Sequence, residues 1–182
     1  WVNTTLREEH DCIYYADRQA AREMVRHLLE RGHRRIALLR PPWDIHYSAV
    51  ERYAGYLEEL AAWGVPPYPG HDRLVMDNEF AGFVADLFRR ADPPTAVIPV
   101  YKGSGELYTL LHSLGLRIPQ DVSVVRWRDE SNPHDRCYPE SAGMVINSFQ
   151  VGRLAAETVL KKISTGEPAD SIVLPWRFCD GG

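Results

Sequence analysis

The sequence predicts an α/β fold, a parallel sheet with helices on both faces. Uninterrupted apolar runs at residues 36–39 and 96–100 have the length and composition of strands buried on both faces, and the stretch 122–127, apolar but for Ser123 and Arg126, reads as another strand. Amphipathic helical segments alternate with them, and parallel neighbours require crossovers of that kind. A complete helix-to-strand switch lies in residues 28–39. There Leu28 and Leu29 close a helical pattern, Gly32 supplies the left-handed cap, and Ile36 opens a strand.

The elements follow in order. Residues 12–15 read as the end of a strand, and Asp17 stands where it could cap a helix. Ala20, Ala21, Met24, Val25, Leu28 and Leu29 fall on one helical face. After the strand at 36–39, Pro41 and Pro42 impose a loop. A second helix places Ala49, Val50, Tyr53, Ala54, Leu57, Leu60 and Ala61 on one side and stops at Gly64. Residues 74–76 are a short strand candidate. A third helix turns Phe80, Ala81, Val84, Leu87 and Phe88 inward. The strand at 96–100 leads through 101–105 into a fourth helix, with Leu107, Leu110, Leu111 and Leu114 inside and Gly115 at its end. A strand at 122–127, a polar loop at 128–140 and extended chain at 142–146 come next. Asn147 and Gln150 have capping-box spacing for a helix through Ile163, and residues 172–174 form a last strand.

Composition excludes several function classes. With 182 residues, 45% hydrophobic and 25% charged, the chain can build a substantial core. A net charge of −4 argues against nucleic-acid binding by this polypeptide alone, which leaves a basic footprint. No apolar run is long enough to span a bilayer and no signal-peptide pattern opens the chain, so the sequence reads as soluble and cytoplasmic. Trp1 in place of an initiator methionine suggests part of a longer polypeptide. Cys12, Cys137 and Cys179 are odd in number and irregularly spaced, which reads as free thiols.

Catalytic machinery is not visible. There is no Gly-x-Ser-x-Gly elbow and no His-Glu-x-x-His. His10 with Cys12, and His134 with Asp135 and Cys137, read as solvated loop residues rather than metal ligands, and no cofactor is indicated. Residues 101–105 follow a strand and open a helix, so Lys102 and the amides could hold an anion, but the spacing is neither a P-loop nor a dinucleotide fingerprint. Glu58 and Glu59 read as a solvated helix face. Because ligands of such sheets bind at the carboxyl ends of strands, the loops at 40–48, 76–78, 101–105 and 128–140 are the candidate site, with Asp77 in the second. Arg52, on the inner side of the second helix near its start, either pairs with a carboxylate or reads a ligand bidentately.

Several blocks resemble the LacI/GalR family of bacterial transcription regulators. These are residues 28–37, with Gly32-His33-Arg34-Arg35-Ile36, then Arg52-Tyr53-Ala54-Gly55-Tyr56, Pro94-Thr95-Ala96-Val97, and residues 115–125, with Gly115-Leu116-Arg117-Ile118-Pro119. Gly152-Arg153-Leu154-Ala155 resembles the family's late helix and Leu174-Pro175 its terminal strand. The resemblance implies a periplasmic-binding-protein-like (type I) lobe with the first lobe mostly missing. Residues 1–16 would end the N-terminal lobe and 17–143 form the C-terminal lobe; 144–165 would return to the first lobe and 166–182 supply the terminal strand of the second. It also implies a homodimer and DNA contact through a helix-turn-helix head not present in this chain.

The resemblance places Arg52 on the effector. Departures stand at Ala16, at Tyr101-Lys102 and at Arg128, where the family carries aspartates or Asn-Asp; such carboxylates accept hydrogen bonds from sugar hydroxyls. The sharper expectation is therefore an anionic effector, a sugar phosphate or carboxylate, held by Arg52 and Arg128, with Lys102 in reach and Tyr101 or Trp127 packing on it. The bland alternative pairs those cations with Asp44, Asp77 or Glu106. The expected function is the effector-sensing domain of a DNA-binding regulator, not an enzyme. The alternative is a periplasmic-type solute-binding protein of a transport system.

Overall fold

The computed structural model describes residues 2, 10–40, 46–100, 104–132 and 141–181. Its elements are β1 (Ile13–Tyr15), α1 (Asp17–Glu30), β2 (Ile36–Leu39), α2 (Tyr47–Ala62), α3 (Phe80–Phe88), β3 (Ala96–Pro99), α4 (Ser104–Ser113), β4 (Ser123–Val124), β5 (Arg126–Asp129), β6 (Gly143–Ile146), α5 (Ser148–Thr165), β7 (Ile172–Leu174) and β8 (Arg177–Cys179).

Strands β2, β3 and β4 form a parallel sheet in the order β2-β3-β4. Alternation along it divides the core. Ile36, Leu38, Ala96 and Ile98 meet Ala20, Met24 and Leu28 of α1 and Ala49, Tyr56 and Leu60 of α2. Ala37, Leu39, Val97 and Val124 meet Phe83, Val84 and Leu87 of α3 and Leu107 and Leu111 of α4. Both faces are therefore covered, as buried parallel strands require. Full burial of side chains such as Met24 and Leu28 contributes about 2 kcal/mol each.

The predicted strand at 122–127 is instead two short strands that serve different partners. The Val125 N–H still donates to the Val97 carbonyl, while the Arg126 N–H donates to the Ala142 carbonyl. Beyond that point β5 runs parallel to β6, and β6 pairs antiparallel with β8, so the sheet is mixed rather than purely parallel. The terminal stretch also differs from expectation. Ile172–Leu174 pairs with β1 in a separate two-stranded sheet, and the strand that joins β6 is Arg177–Cys179, which the apolar pattern did not mark. Residues 74–76 make a single bridge, Leu74 to Arg40, and no strand.

Helices α1 and α2 pack closely because Gly55 faces the α1 backbone: a Cβ there would lie 2.2 Å from the Arg18 carbonyl oxygen. The inner face of α2 lies about one position away from the predicted one. Tyr47, Ser48, Ala49, Arg52, Tyr56, Glu59 and Leu60 are buried, whereas Val50 is exposed. Glu59 is thus not part of a solvated face. It accepts from Arg26 Nε at 2.7 Å and Arg22 Nε at 3.0 Å, and the Arg26 and Arg22 hydrogen bonds hold its carboxyl below the ordinary range against the opposing effect of burial. Helix α5 begins as its capping signal predicts, with Asn147 Oδ1 accepting from the Gln150 N–H at 3.3 Å, and ends at Gly166 in the left-handed conformation. Phe149, Leu160 and Ile163 on α5 are exposed.

Candidate functional site

The carboxyl ends of β1, β3 and β5 converge on Arg52. The first turn of α2 carries this arginine inward, and His46 caps that turn by accepting the Ser48 N–H at 3.3 Å on Nδ1. Arg52 Nε donates to Asp17 Oδ1 at 2.8 Å, and Nη1 donates to the Val100 carbonyl at 2.9 Å. The guanidinium carbon lies 3.9 Å from the Trp127 ring centroid and 5.2 Å from that of Trp176. The two indoles meet edge to face at 4.9 Å, and Tyr15 leans on Trp176 at 5.2 Å.

Asp17 does not cap α1. The N-cap is Ala16, with no side-chain cap, and Asp17 is the first helical residue, its carboxylate only 1% exposed and turned to Arg52. Burial pushes its carboxyl pKa up, and Arg52 offsets that in part through charge and hydrogen bond. Burial, with the charges of Asp129 and Asp17, holds the Tyr15 hydroxyl up at about 12; burial and Asp17 do the same to Tyr47. Both phenols are therefore neutral at ordinary pH.

Asp129, at the end of β5, accepts from the Ser131 N–H and hydroxyl at 3.0 and 2.6 Å and from the Ser148 N–H at 3.2 Å. Burial raises its pKa, but these hydrogen bonds outweigh it and hold the carboxyl low. Asp129 thereby ties the strand end to the start of α5. Four polar atoms near Arg52 are buried without a hydrogen-bond partner: the Tyr15 hydroxyl, Asp17 Oδ2 and the indole N–H groups of Trp127 and Trp176. Such orphans are rare in native interiors and commonly mark a place for a ligand or water.

Of the residues expected at the site, Arg52 and Trp127 are in contact. Among the described residues, the carboxylate paired with Arg52 is Asp17, which the sequence did not offer as its partner. Asp77 is exposed in a short 3-10 turn, Asp77–Glu79. Arg128 is half-buried opposite Val145, and strand alternation places it with Arg126 on the face opposite Trp127, so the structure does not stack it beside Arg52. Tyr101, Lys102 and Asp44 lie outside the described residues. Asp17, Tyr15 and Trp176 were not nominated. The rule that ligands sit at strand ends could have found the first two, since Tyr15 is the last residue of β1 and Asp17 lies two positions beyond it. Among the described residues, no three His, Cys, Asp or Glu side chains gather as a metal site, and no helix is long and apolar enough to cross a membrane.

The periplasmic binding protein-like domain family matches residues 25–182. The chain belongs to that family. Among curated members it is similar to the HTH-type transcriptional regulator CelR of Thermobifida fusca, 31% identical over 159 residues, covering 84% of this chain and 45% of that one. Among solved structures it is similar to a transcriptional regulator CelR–cellobiose complex, with a TM-score of 0.79 and 23% identity over 99% of this chain and 57% of that one. A LacI family transcriptional regulator from Enterococcus faecium with bound ribose gives a TM-score of 0.79 and 23% identity, covering 99% and 67%. The family's fold is the one described above, and LacI-type regulators are the relatives that the motif blocks imply. The chain spans about half the length of the curated relatives it matches.

Proposed function

We propose that this chain is the effector-sensing part of a LacI/GalR-type transcription regulator, with a small molecule bound at the strand ends around Arg52 and DNA held by a helix-turn-helix head. One observation carries the reading: a buried arginine, stacked on two indoles and surrounded by orphaned donors, lies where the carboxyl ends of the strands meet. The relatives' names support a regulator over a transport-linked solute-binding protein. The same reading implies a protein that works in the cytoplasm, as a homodimer, and without turnover. Ligand closing one lobe on another would shift the attached heads between DNA-competent and incompetent states.

The division into lobes rests on strand pairing. On this reading β1, β7 and α5 belong to the first lobe and the elements from α1 to β6, with β8, to the second. The exposed Phe149, Leu160 and Ile163 of α5 support a first lobe completed by further chain.

The effector we favour is acceptor-rich, a sugar acid ahead of a neutral sugar. The Tyr15, Trp127 and Trp176 donors lack acceptors, three donors against the single unpartnered acceptor Asp17 Oδ2, while Asp129 is engaged with Ser131 and Ser148. Arg128, on the other face of β5 from Trp127, supplies positive charge through space rather than a contact, and Arg52, neutralised by Asp17, acts as a platform. The cellobiose and ribose of the related structures favour a neutral sugar as the second reading. Calorimetry with aldonic and uronic acids against the parent sugars separates them. Acids should bind more tightly, with Arg128→Ala removing the difference; tight binding of a neutral sugar that Arg128→Ala leaves unchanged contradicts the acidic effector. A signal peptide encoded upstream of Trp1, in place of a helix-turn-helix, contradicts the regulator.

A further inference from the structure

The two oxygens of the Asp17 carboxylate are used unequally. Oδ1 accepts from Arg52 Nε at 2.8 Å, whereas Oδ2 is buried and meets no donor. The side chain is closed to bulk solvent, so a donor for Oδ2 comes from a ligand, from water held in the site or from a proton on the oxygen itself.

The groups facing Asp17 bear on which. Among the described residues these are Arg52 and the Tyr47 hydroxyl from α2, the His46 ring that caps that helix, and the Tyr15 phenol from β1. Arg52, Tyr47 and His46 favour the ionised carboxyl, but burial outweighs them and holds its pKa above the ordinary value. A proton taken up here goes to Oδ2, because Oδ1 already holds the Arg52 hydrogen bond.

An anion entering beside Arg52 changes the balance. While Asp17 is ionised it cancels the guanidinium charge and repels a second carboxylate. Once Oδ2 carries a proton, that positive charge is restored to the site. Oδ2–H also becomes a fourth donor, beside the Tyr15 hydroxyl and the Trp127 and Trp176 indole N–H groups. Four donors and one cation suit a carboxylate.

We propose that Asp17 is a specificity-determining residue of the Arg52 site, which takes a monoanionic carboxylic acid together with one proton. Oδ2 draws the proton from solvent and donates it in a hydrogen bond to the ligand carboxylate. Charge balances, since one anion and one proton enter a site whose ion pair was neutral. A neutral sugar donates a hydroxyl to Oδ2 instead and needs no proton. The proposal rests on the acidic effector described above and adds its proton stoichiometry.

The test is calorimetry of the whole protein with D-gluconate and with D-glucose in buffers of different ionisation enthalpy. It runs from about pH 5.5 to about pH 8, where gluconate itself stays ionised. Gluconate should bind with uptake of about one proton, its affinity rising up to about tenfold per pH unit on acidification, and glucose should show neither. Asp17→Asn carries a permanent donor and no charge, so at about pH 8 it should bind gluconate at least tenfold more tightly than wild type, without proton uptake. A merely structural role predicts weaker binding. The Asp17 carboxyl carbon, followed by NMR in the wild-type protein, gives a reading that needs no variant: gluconate should move its titration to higher pH. Binding of gluconate without proton uptake overturns the proposal and leaves the acidic effector standing. Uptake that persists in Asp17→Asn belongs to another group, such as His46, and does the same. Absence of gluconate binding throughout the range overturns the acidic effector itself, and the proposal with it.

Discussion

Removing both members of the Asp17–Arg52 pair should cost no more than removing either one. In Arg52→Met the Asp17 carboxylate, 1% exposed, loses its counter-charge. The Val100 carbonyl loses a donor and Trp127 its cation. Breaking one side of a buried pair costs about 3–5 kcal/mol, with about 1 kcal/mol for each of the lesser contacts. Protonation of Asp17, already eased by burial, recovers part of this, leaving about 3 kcal/mol. Asp17→Asn keeps the Val100 bond and the indole stack, so its cost is about 2–3 kcal/mol. The double variant leaves no buried charge and should lose about 2–3 kcal/mol in all, a coupling near 3 kcal/mol. Urea unfolding of all four proteins measures it; with a slope of about 2 kcal/mol/M each single variant shifts the midpoint by ~1.5 M. Additive losses in the double variant, within ~0.5 kcal/mol, would refute the reasoning and reduce the pair to a surface-like contact.

Further outcomes follow from the same geometry. Gly55→Ala should destabilise by about 2 kcal/mol or more, seen as a lower melting temperature, because α1 must retreat from a Cβ placed 2.2 Å from the Arg18 oxygen. Glu59→Gln should cost about 1–2 kcal/mol at pH 7, less than a fully buried pair because Arg22 and Arg26 are half-exposed and regain water. With its folded pKa depressed, Glu59 stabilises the fold above the unfolded value near 4.5 and loses that contribution as pH falls through the folded value. The difference between wild type and Glu59→Gln in urea should therefore shrink on acidification. Asn147→Ala should cost about 1 kcal/mol, and amide exchange should quicken first at the start of α5.

The α/β architecture is readable from the sequence because it rests on local signals. Apolar runs mark β2 and β3, Gly32 marks the end of α1, and Asn147 with Gln150 marks the start of α5. Tertiary pairing is not local, which is why β8 and the division of the 122–127 run escaped notice: Arg177–Cys179 has no apolar run and becomes a strand only because β6 lies beside it. Polar residues on inner faces mislead periodicity in the same way. Glu59 looks solvated until α1 brings Arg22 and Arg26 over it, and Asp17 looks like a cap until α2 brings Arg52. At the candidate site Arg52 and Trp127 were legible from chemistry and motif. Their long-range partners, Asp17 at 35 positions' separation and Trp176 from the chain's far end, were not.

Tryptophan emission during ligand titration tests the account most directly, since the proposed effector lies against the Trp127–Trp176 pair. A saturable change with a sugar acid is predicted, lost in Trp127→Phe and weakened at least tenfold in Arg128→Ala, a loss of about 1.4 kcal/mol. A saturable change that survives both substitutions would place the effector elsewhere and contradict the assignment of function to the Arg52 cluster.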